Sequence, residues 1–348
     1  MNSGRVERAE VTLDQQLSAA MMRIIMRIAL LHYSKPPVIG GVERVVGEQA
    51  AALRTLGHEV EILTRRDWLP QCHWDVVVAH NVFTMPFDLT WTRELLILTQ
   101  KLPQTHWINW VHDVRWAREV PRAIHIAVSE QQKTEYAQFT CEPIHVIPNG
   151  CDARAVLGLT ERVSSLQLEK ASLVLLQPTR FVRRKNIEMG LRVLAELPDA
   201  IYLVTAAPDP HQKDGLLYFR ELKRLANELD VTRRVQFLGE KAVLSDEDVR
   251  SLYQMSDALF FPSFKEGYGL PLIEAALHQL PVFCSDIPAH REVAALDAHF
   301  FKLNASPKKL ARIIRDHPAT QARQLRRNMI LRLDWRVLLR EKLFPWIS

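Results

Sequence analysis

The sequence has little cysteine and no long apolar run. Only four cysteines occur among its 348 residues, at Cys72, Cys141, Cys151 and Cys284, and their spacing is not that of paired metal ligands. We therefore expect reduced thiols in a cytoplasmic protein. No apolar run approaches the length of a membrane-spanning helix, and residues 1–20 lack the apolar core of a secretory signal.

A dinucleotide-binding fingerprint is also missing. Gly40, Gly41 and Gly47 do not have the G-x-G-x-x-G spacing, so a nicotinamide- or flavin-dependent dehydrogenase loses its main support. Hydrophobic residues make up 47% of the chain and charged residues 24%, which excludes disordered and fibrous proteins. A chain of 348 residues is too long for one ordinary core, so we expect two domains.

Short apolar runs alternate with helical patterns along the chain. The first series of predicted strands comprises Arg27–Leu31, Val60–Leu63, Val76–Ala79, Trp107–Val111, Ile124–Val128 and Ile144–Ile147. The second series comprises Leu173–Leu176, Ile201–Thr205, Val235–Leu238, Leu259–Phe261, Val282–Cys284 and Phe300–Leu303. This alternation predicts an α/β protein with two Rossmann-like, doubly wound parallel-sheet domains.

Breaks in this alternation give the predicted domain boundaries. We expect a disordered tail at 1–22, a first domain at 23–155, a linker at 156–171, a second domain at 172–330 and a C-terminal helical segment at 331–348. Met21, Met22 and Met26 shortly precede the first strand, so an upstream start codon is an alternative account of residues 1–25. The intact mass of the natively expressed protein tests that alternative.

The most informative string runs from Phe264 to Glu274, after the predicted strand Leu259–Phe261. Glu266 lies in a loop beyond the strand end, and the glycines after it allow a sharp turn close to a ligand. Pro271 fits the first turn of a helix, so Glu274 lies about one turn inside that helix. Unpaired N–H groups at the helix start can donate to sugar hydroxyls or to an anion. The two carboxylates can each accept hydrogen bonds from a diol.

A second string joins a predicted strand end to a helix start and contains cations. Arg180 and Lys185 follow the strand Leu173–Leu176. Arginine offers a planar fork for phosphate oxygens and lysine a mobile point charge, so together they can stabilise a leaving nucleoside diphosphate without a metal. We interpret Arg183 and Arg184 of the same string as solvated surface charges.

Two features of the first domain complete the pattern. Gly40 and Gly41 precede a predicted helix, where their backbone N–H groups would face a phosphate. His112 follows the strand Trp107–Val111, and the carboxyl ends of strands position ligands in open α/β sheets. We expect Asp113 either to orient the His112 ring or to cap the next helix.

Together these strings resemble the retaining family-four glycosyltransferases, which have the GT-B fold. The motif that carries the resemblance is Glu-x7-Glu, written EGYGLPLIE here, and the resemblance covers nearly everything from residue 26 onward. It implies that Glu266 contacts the transferred hexose, that Glu274 holds the ribose, and that His112 lies close to the reacting carbon. The implied catalytic residues are His112, Glu266, Arg180 and Lys185. The implied donor-binding residues are Gly40, Gly41, Arg180, Lys185, Glu266, Gly267, Tyr268, Gly269, Leu270 and Glu274.

The resemblance also implies an architecture and a reaction. Two domains face a cleft, and the last helical segment, Leu333–Trp346, crosses back to the first domain. The reaction is transfer of a hexosyl group from a uridine or guanosine diphosphate hexose to an acceptor hydroxyl, with retention, an α-linkage, no metal and no other cofactor. Front-face and double-displacement paths both stay open. The alternatives are another GT-B sugar-nucleotide enzyme, such as an epimerase or a phosphorylase, and a non-catalytic sugar-binding protein.

The partners that follow are a nucleotide-sugar donor and a saccharide, small-molecule or lipid-linked acceptor. We expect acceptor contacts from loops 34–40, 81–92 and 113–121, and base contacts near Gly239. Residues 302–348 contain 12 Lys or Arg and 3 Asp or Glu, an excess of 12 − 3 = 9 positive charges. This excess allows a peripheral contact with the inner face of a membrane, although solvated helices are the simpler interpretation. No aromatic platform for nucleic acid accompanies the charge.

Overall fold

The computed structural model describes residues 25–38, 40–67, 73–207, 213–294, 298–317 and 321–347. The predicted tail at 1–22 lies outside these ranges. The chain folds into two compact units. The first unit ends at Cys151 and resumes at Leu333, and the second spans Asp152–Arg332.

The first unit is built on a six-stranded parallel sheet. Its strands are β1 (Arg27–Leu31), β2 (Glu59–Leu63), β3 (Val76–His80), β4 (His106–Val111), β5 (Ile124–Ala127) and β6 (Ile144–Val146). The helices between them are α1 (Gly41–Thr55), α2 (Leu89–Lys101) and α3 (Glu130–Tyr136). The strand order is β2-β1-β3-β4-β5-β6, so the order reverses between β1 and β3. Ligands of open α/β sheets bind at such reversals, beyond the carboxyl ends of the strands.

The second unit repeats this plan. Its strands are β7 (Leu173–Gln177), β8 (Ala200–Val204), β9 (Val235–Phe237), β10 (Ala258–Phe261), β11 (Val282–Ser285) and β12 (His299–Phe301). Its helices are α4 (Ala153–Leu157), α5 (Glu161–Ser164), α6 (Ile187–Ala195), α7 (Lys213–Glu228), α8 (Asp246–Met255), α9 (Leu270–Leu277), α10 (Pro288–Ala294), α11 (Pro307–Asp316) and α12 (Gln321–Leu333). The strand order β9-β8-β7-β10-β11-β12 is that of a Rossmann sheet and reverses between β7 and β10.

These two doubly wound parallel sheets confirm the predicted fold class. Each predicted strand matches one of the observed strands to within a few residues. Helices cover the faces of parallel sheets, which explains why the strands read as continuous apolar runs and not as alternating patterns. Every residue of β3 and β10 is buried. In α6, Ile187, Leu191 and Leu194 recur at helical spacing and pack into the core of the second unit.

Residues 156–171 differ from the linker that the sequence predicted. They contain the end of α4, helix α5 and a 3-10 turn at Leu168–Lys170. Val163 and Leu168 are buried in the core of the second unit, next to Val174 of β7. The segment is polar overall because only one side of each short element faces the core. Elements of one or two turns are too short to give a readable apolar period.

The C-terminal segment completes the core of the first unit. After α12 the chain forms α13 (Trp335–Leu338), a π-helical turn (Leu339–Leu343) and a 3-10 turn (Phe344–Trp346). The buried side chains that this segment contributes are Trp335, Leu338, Leu339, Leu343 and Ile347, which pack with residues of α1, β1 and β3. The backbone N–H of Cys151 donates to the Leu333 carbonyl at 2.8 Å. The chain therefore leaves and re-enters the first unit at adjacent positions.

The cationic helix α12 directs arginines at main-chain carbonyls of the second unit. Arg323 donates to the His278 and Gln279 carbonyls at 3.1 Å, and Arg327 donates to the Ser172 carbonyl at 2.7 Å. The N–H groups of these two guanidinium side chains that donate to carbonyls are thus engaged within the unit and do not take part in the predicted membrane contact. Over the described ranges, no helix combines the length and apolarity that a membrane span requires.

Candidate functional site

Two loops of the second unit meet where its strand order reverses. One follows β7 and contains a 3-10 turn at Arg183–Lys185, and the other follows β10 and contains Glu266. The backbone N–H of Phe264 donates to the Arg184 carbonyl at 2.8 Å. The buried Gln177 amide donates to the carbonyl of the turn's last residue, also at 2.8 Å. The first hydrogen bond joins the two loops and the second anchors the turn to the end of β7, so the side chains of both loops share one site.

The Glu266 carboxylate is the centre of this site. Lys185 Nζ lies 2.6 Å from its Oε1, and an Arg184 guanidinium nitrogen lies 3.0 Å from its Oε2. The side chains of Glu266 and Lys185 are only 7% and 10% exposed. We interpreted Arg184 as a solvated surface charge, but its guanidinium binds Glu266 because the β10 loop passes directly over the turn.

Arg183 points away from this cluster. Its guanidinium donates to Glu221 of α7 at 2.9 Å and lies 5.2 Å from the centre of the Tyr218 ring. Arg183 therefore fits the interpretation as a structural surface charge, whereas its neighbour does not.

The charges of the cluster influence one another through their pKa values. Burial alone would raise the pKa of Glu266, but the hydrogen bond and charge of Lys185, with the hydrogen bond of Arg184, hold this pKa below its usual value. Burial lowers the pKa of Lys185, and Glu266 partly opposes that shift. Arg184 and the exposed Arg180 lie close enough to lower the Lys185 pKa further. Two cations thus bind one carboxylate, and a third, Arg180, acts on Lys185, so the cluster has a surplus of positive charge that an anionic ligand can neutralise.

The glycine-rich loop leads from Glu266 into α9. Gly269 precedes the helix with φ 114°, a conformation in which a side chain would be strained. Pro271 lies in the first turn, where its missing N–H is harmless. Glu274 follows within the helix and accepts a hydrogen bond from the Tyr253 hydroxyl at 2.6 Å. Helix α8 therefore orients this carboxylate. The other predicted residues of the loop, Gly267, Tyr268 and Leu270, are exposed.

In the first unit, His112 directly follows β4 and is almost buried, with 7% of its surface exposed. Its backbone N–H donates to Asn81 Oδ1 at 2.7 Å. Its ring contacts His80 at 3.0 Å through Nε2 and Asn149 at 3.4 Å through Nδ1. Burial, reinforced by the nearby His32, lowers the pKa of His112 to about 3, so the ring is neutral at physiological pH.

Asp113 has neither of the two roles that we expected. The contacts described for the His112 ring are with His80 and Asn149. Asp113 instead accepts a 3.4 Å contact from the Asn81 side-chain amide and donates its own N–H to Asn81 Oδ1. No helix follows Asp113 before β5 in this fully described stretch, so there is no helix for it to cap.

Gly40 and Gly41 form the start of α1, but the surroundings of this start were not foreseen. The Glu43 carboxylate folds back over Gly40, and a Cβ atom built at Gly40 would lie 2.0 Å from Glu43 Oε2. Burial raises the pKa of Glu43, but hydrogen bonds from Ser34 and from its own backbone N–H outweigh this and lower the pKa. The helix start that we expected to face a phosphate therefore already has a carboxylate beside it.

Several site residues were missed at the sequence level. They are Arg184, Tyr253, Glu43, His80, Gln49, Asn81 and Asn149. His80 and Asn81 had a usable signal, because they close β3 in the same way that His112 follows β4. The others contact their partners only through the tertiary fold. Within the described ranges, no group of three or more His, Cys, Asp and Glu side chains is placed to hold a metal ion.

Comparison with known proteins shows a family to which the second unit is similar. Residues 160–331 match the family model described as Glycosyl transferases group 1. The serotype-specific mannosyltransferase WbdA of Escherichia coli is 45% identical over 151 residues, which cover 38% of this chain and 18% of that protein. Mannosylglucosylglycerate synthase of Thermotoga maritima is 26% identical over 264 residues, which cover 68% of this chain and 59% of that protein. The chain thus spans less than two thirds of the length of these relatives.

A solved structure, Anabaena Alr3699/HepE in complex with UDP-glucose, aligns with 91% of this chain and 98% of its own at 20% identity, with a TM-score of 0.39. The matched family segment contains β7, β10 and the entire Glu266 cluster. With its two doubly wound sheets, the chain is an α/β protein whose residues 160–331 are similar to the family described as Glycosyl transferases group 1.

Proposed function

We propose that this protein transfers a hexosyl group from a nucleoside diphosphate sugar to an acceptor hydroxyl, with retention of the anomeric configuration. The observation that supports this best is the Glu266 cluster, which lies at the strand-order reversal of the second sheet and inside the matched glycosyltransferase segment. We further propose that an α-configured donor gives an α-linked product and that the reaction needs no metal.

The three cations of the cluster supply the leaving-group chemistry of the proposal. A departing nucleoside diphosphate gains negative charge as the glycosidic bond to the hexose breaks. Arg180 and Arg184 present forks to the phosphate oxygens, and Lys185 adds a point charge. Because the cations already lie beside one another, they need only turn from Glu266 to the phosphate oxygens to stabilise this charge, and they take the role that a divalent metal has in other transferases.

Glu266 and Glu274 read the donor hydroxyls. Lys185 and Arg184 contact both oxygens of Glu266. When these cations turn toward the diphosphate, hexose hydroxyls replace them as hydrogen-bond donors to the carboxylate. Glu274, already oriented by Tyr253, accepts from the ribose. His112 acts as a neutral ring that hydrogen-bonds a sugar hydroxyl, since burial lowers its pKa far below physiological pH.

The relatives suggest which hexose to test first. The names of WbdA and of the Thermotoga maritima enzyme both refer to mannosyl groups. We therefore propose a mannosyl donor as the first candidate, with glucosyl donors as the comparison. Once the donor is identified, its complex with the protein can be used to screen hydroxyl compounds for the acceptor.

The test is a panel of uridine, guanosine and adenosine diphosphate sugars, with thermal shift and donor hydrolysis measured in the presence of a chelator. A ligand that binds the folded state well above its Kd raises the Tm. One donor is expected to stabilise the protein and to be hydrolysed slowly, and Glu266→Gln is expected to abolish hydrolysis. Loss of activity in the presence of the chelator would contradict the proposal that the reaction needs no metal.

Arg184→Gln and Arg183→Gln form a matched pair within one turn. Only Arg184 contacts Glu266, so its loss is expected to weaken donor binding about tenfold, whereas Arg183→Gln stays close to the unaltered protein. Equal effects of the two substitutions would contradict the assignment of Arg184 to the donor site.

The products distinguish transfer from the alternative reactions. Donor epimerisation without an acceptor would indicate an epimerase, and dependence on inorganic phosphate would indicate a phosphorylase. A β-linked product in nuclear magnetic resonance would exclude retention from an α-configured donor.

A further inference from the structure

A chain of polar contacts runs through the interior of the first unit and ends at His112. Gln49 of α1 lies 3.0 Å from His80, through Oε1 and Nε2. His80, the last residue of β3, lies 3.0 Å from His112, through Nδ1 and Nε2. His112 in turn lies 3.4 Å from the Asn149 side-chain amide. Gln49 and His80 have no exposed surface, so water cannot replace these contacts.

The donors and acceptors along this chain are consistent with one another. An amide oxygen only accepts, so Gln49 Oε1 requires a proton on His80 Nε2. A neutral His80 then has a lone pair on Nδ1, which accepts from a proton on His112 Nε2. His112 Nδ1 is left as an acceptor, and the Asn149 amide donates to it. Each group thus selects the tautomer of the next.

The interior holds both rings in the neutral form that this arrangement needs. Burial lowers the pKa of His80 well below its ordinary value, and His112 and His32 reinforce the shift. The ring of His32 contacts the His80 carbonyl at 2.9 Å through Nδ1. Because a carbonyl only accepts, His32 donates and fixes the end of β3 from the other side. The His80 ring also stacks on His112 with 5.3 Å between ring centres.

We propose that Gln49 and His80 are positioning residues that hold His112 as the Nε2–H tautomer and leave Nδ1 as the single ring nitrogen able to accept a hydrogen bond from a sugar hydroxyl. This inference rests on the proposed function for the role of the sugar hydroxyl. The contact to Asn149 is long at 3.4 Å, so a hydroxyl donor at 2.8 Å or so can displace it. Neither Gln49 nor His80 touches substrate in this arrangement.

The experiment uses the full-length protein labelled with ¹⁵N-histidine and long-range ¹H–¹⁵N spectra. Comparison with His112→Asn assigns the His112 ring. A protonated Nε2 and an unprotonated Nδ1 are expected in the unaltered protein, and the opposite pattern would overturn the proposal without any substitution. This readout needs no substrate, so it stays decisive even if no nucleotide sugar is turned over, an outcome that would reject the proposed function alone.

Gln49→Met removes the terminal acceptor while nearly preserving volume. The His112 ring nitrogens are then expected to shift toward a mixture of tautomers, and kcat/KM for the donor to fall roughly tenfold, as for other residues that orient a functional histidine. Thr99→Val is the control, since it removes another buried hydrogen-bonding group of the same unit that lies outside the series of contacts from Gln49 to Asn149. Unchanged His112 signals in Gln49→Met, or equal losses of activity in the two variants, would refute the positioning role.

Discussion

Buried histidines make the stability of the first unit depend on pH, and His112 and His125 illustrate the size of the effect. Burial lowers the pKa of His112 to about 3 and that of His125 to about 4, against an ordinary value of 6.5. Below pH 6.5 the unfolded chain therefore binds protons that the folded unit does not bind. The stability that these two groups contribute is complete above the unfolded pKa and is lost as the pH falls.

The loss follows from the two pKa values. Each pH unit that separates the folded from the unfolded titration corresponds to about 1.4 kcal/mol. Between about pH 7.5 and about pH 4.5, protonation of each histidine stabilises the unfolded state over roughly two pH units. The free energy of unfolding therefore falls by about 2.5 kcal/mol for each histidine. A loss of this size is a large part of the ~5–15 kcal/mol by which a typical domain is stable.

Tryptophan emission during urea unfolding reports on the first unit alone. The eight tryptophans of the sequence all belong to the segments of this unit, and residues 152–332 contain none. His112→Asn and His125→Asn are each expected to reduce the acid-induced loss by about 2.5 kcal/mol, because each removes one titrating group. Thr99→Val is the control and is expected to lower stability equally at both pH values. An acid-induced loss in His112→Asn that matches the unaltered protein would refute the reasoning.

Three further substitutions test packing and strain. Tyr253→Phe removes the hydroxyl that orients Glu274, and donor affinity is expected to fall roughly tenfold in a titration, with little change in Tm. Gly150→Ala places a Cβ 2.5 Å from the Trp335 ring, so we expect a loss of about 1–3 kcal/mol in tryptophan-detected unfolding. Gly269→Ala introduces a side chain at φ 114°, and calorimetry is expected to show a loss of at least ~1–2 kcal/mol. An unchanged value in any of these measurements contradicts the corresponding contact.

The sequence predicts the sheets well because parallel strands are recognised by a local property. The central strands, such as β3 and β10, are buried on both faces, so their apolar runs are visible without knowledge of their neighbours. The meeting of Lys185 and Glu266 could be anticipated for a related reason. Both follow the ends of strands, and β7 and β10 are adjacent in a Rossmann order. Fold class and the outline of the site thus follow from local patterns combined with a topology rule.

The remaining contacts depend on backbone paths that no local pattern records. Arg184 and Arg183 are equivalent in sequence, and only the course of the β10 loop directs one of them to Glu266. Glu43 folds over Gly40 because this glycine has no side chain to occupy the position of the carboxylate. The contact between His80 and His112 requires β3 and β4 to be neighbours in register. Such pairs become visible only once the chain is folded.

The return of the chain to the first unit has a consequence for biosynthesis. Trp335, Leu338 and Leu343 fill the core beside α1, yet they leave the ribosome after the whole of residues 152–332. The second unit can therefore fold while the first still lacks part of its interior. The unit that is synthesised first is completed last. The hydrogen bond from Cys151 to Leu333 joins the end of its first segment to the start of its returning segment. A nascent chain stalled before Trp335 would contain a finished second unit and an open first one.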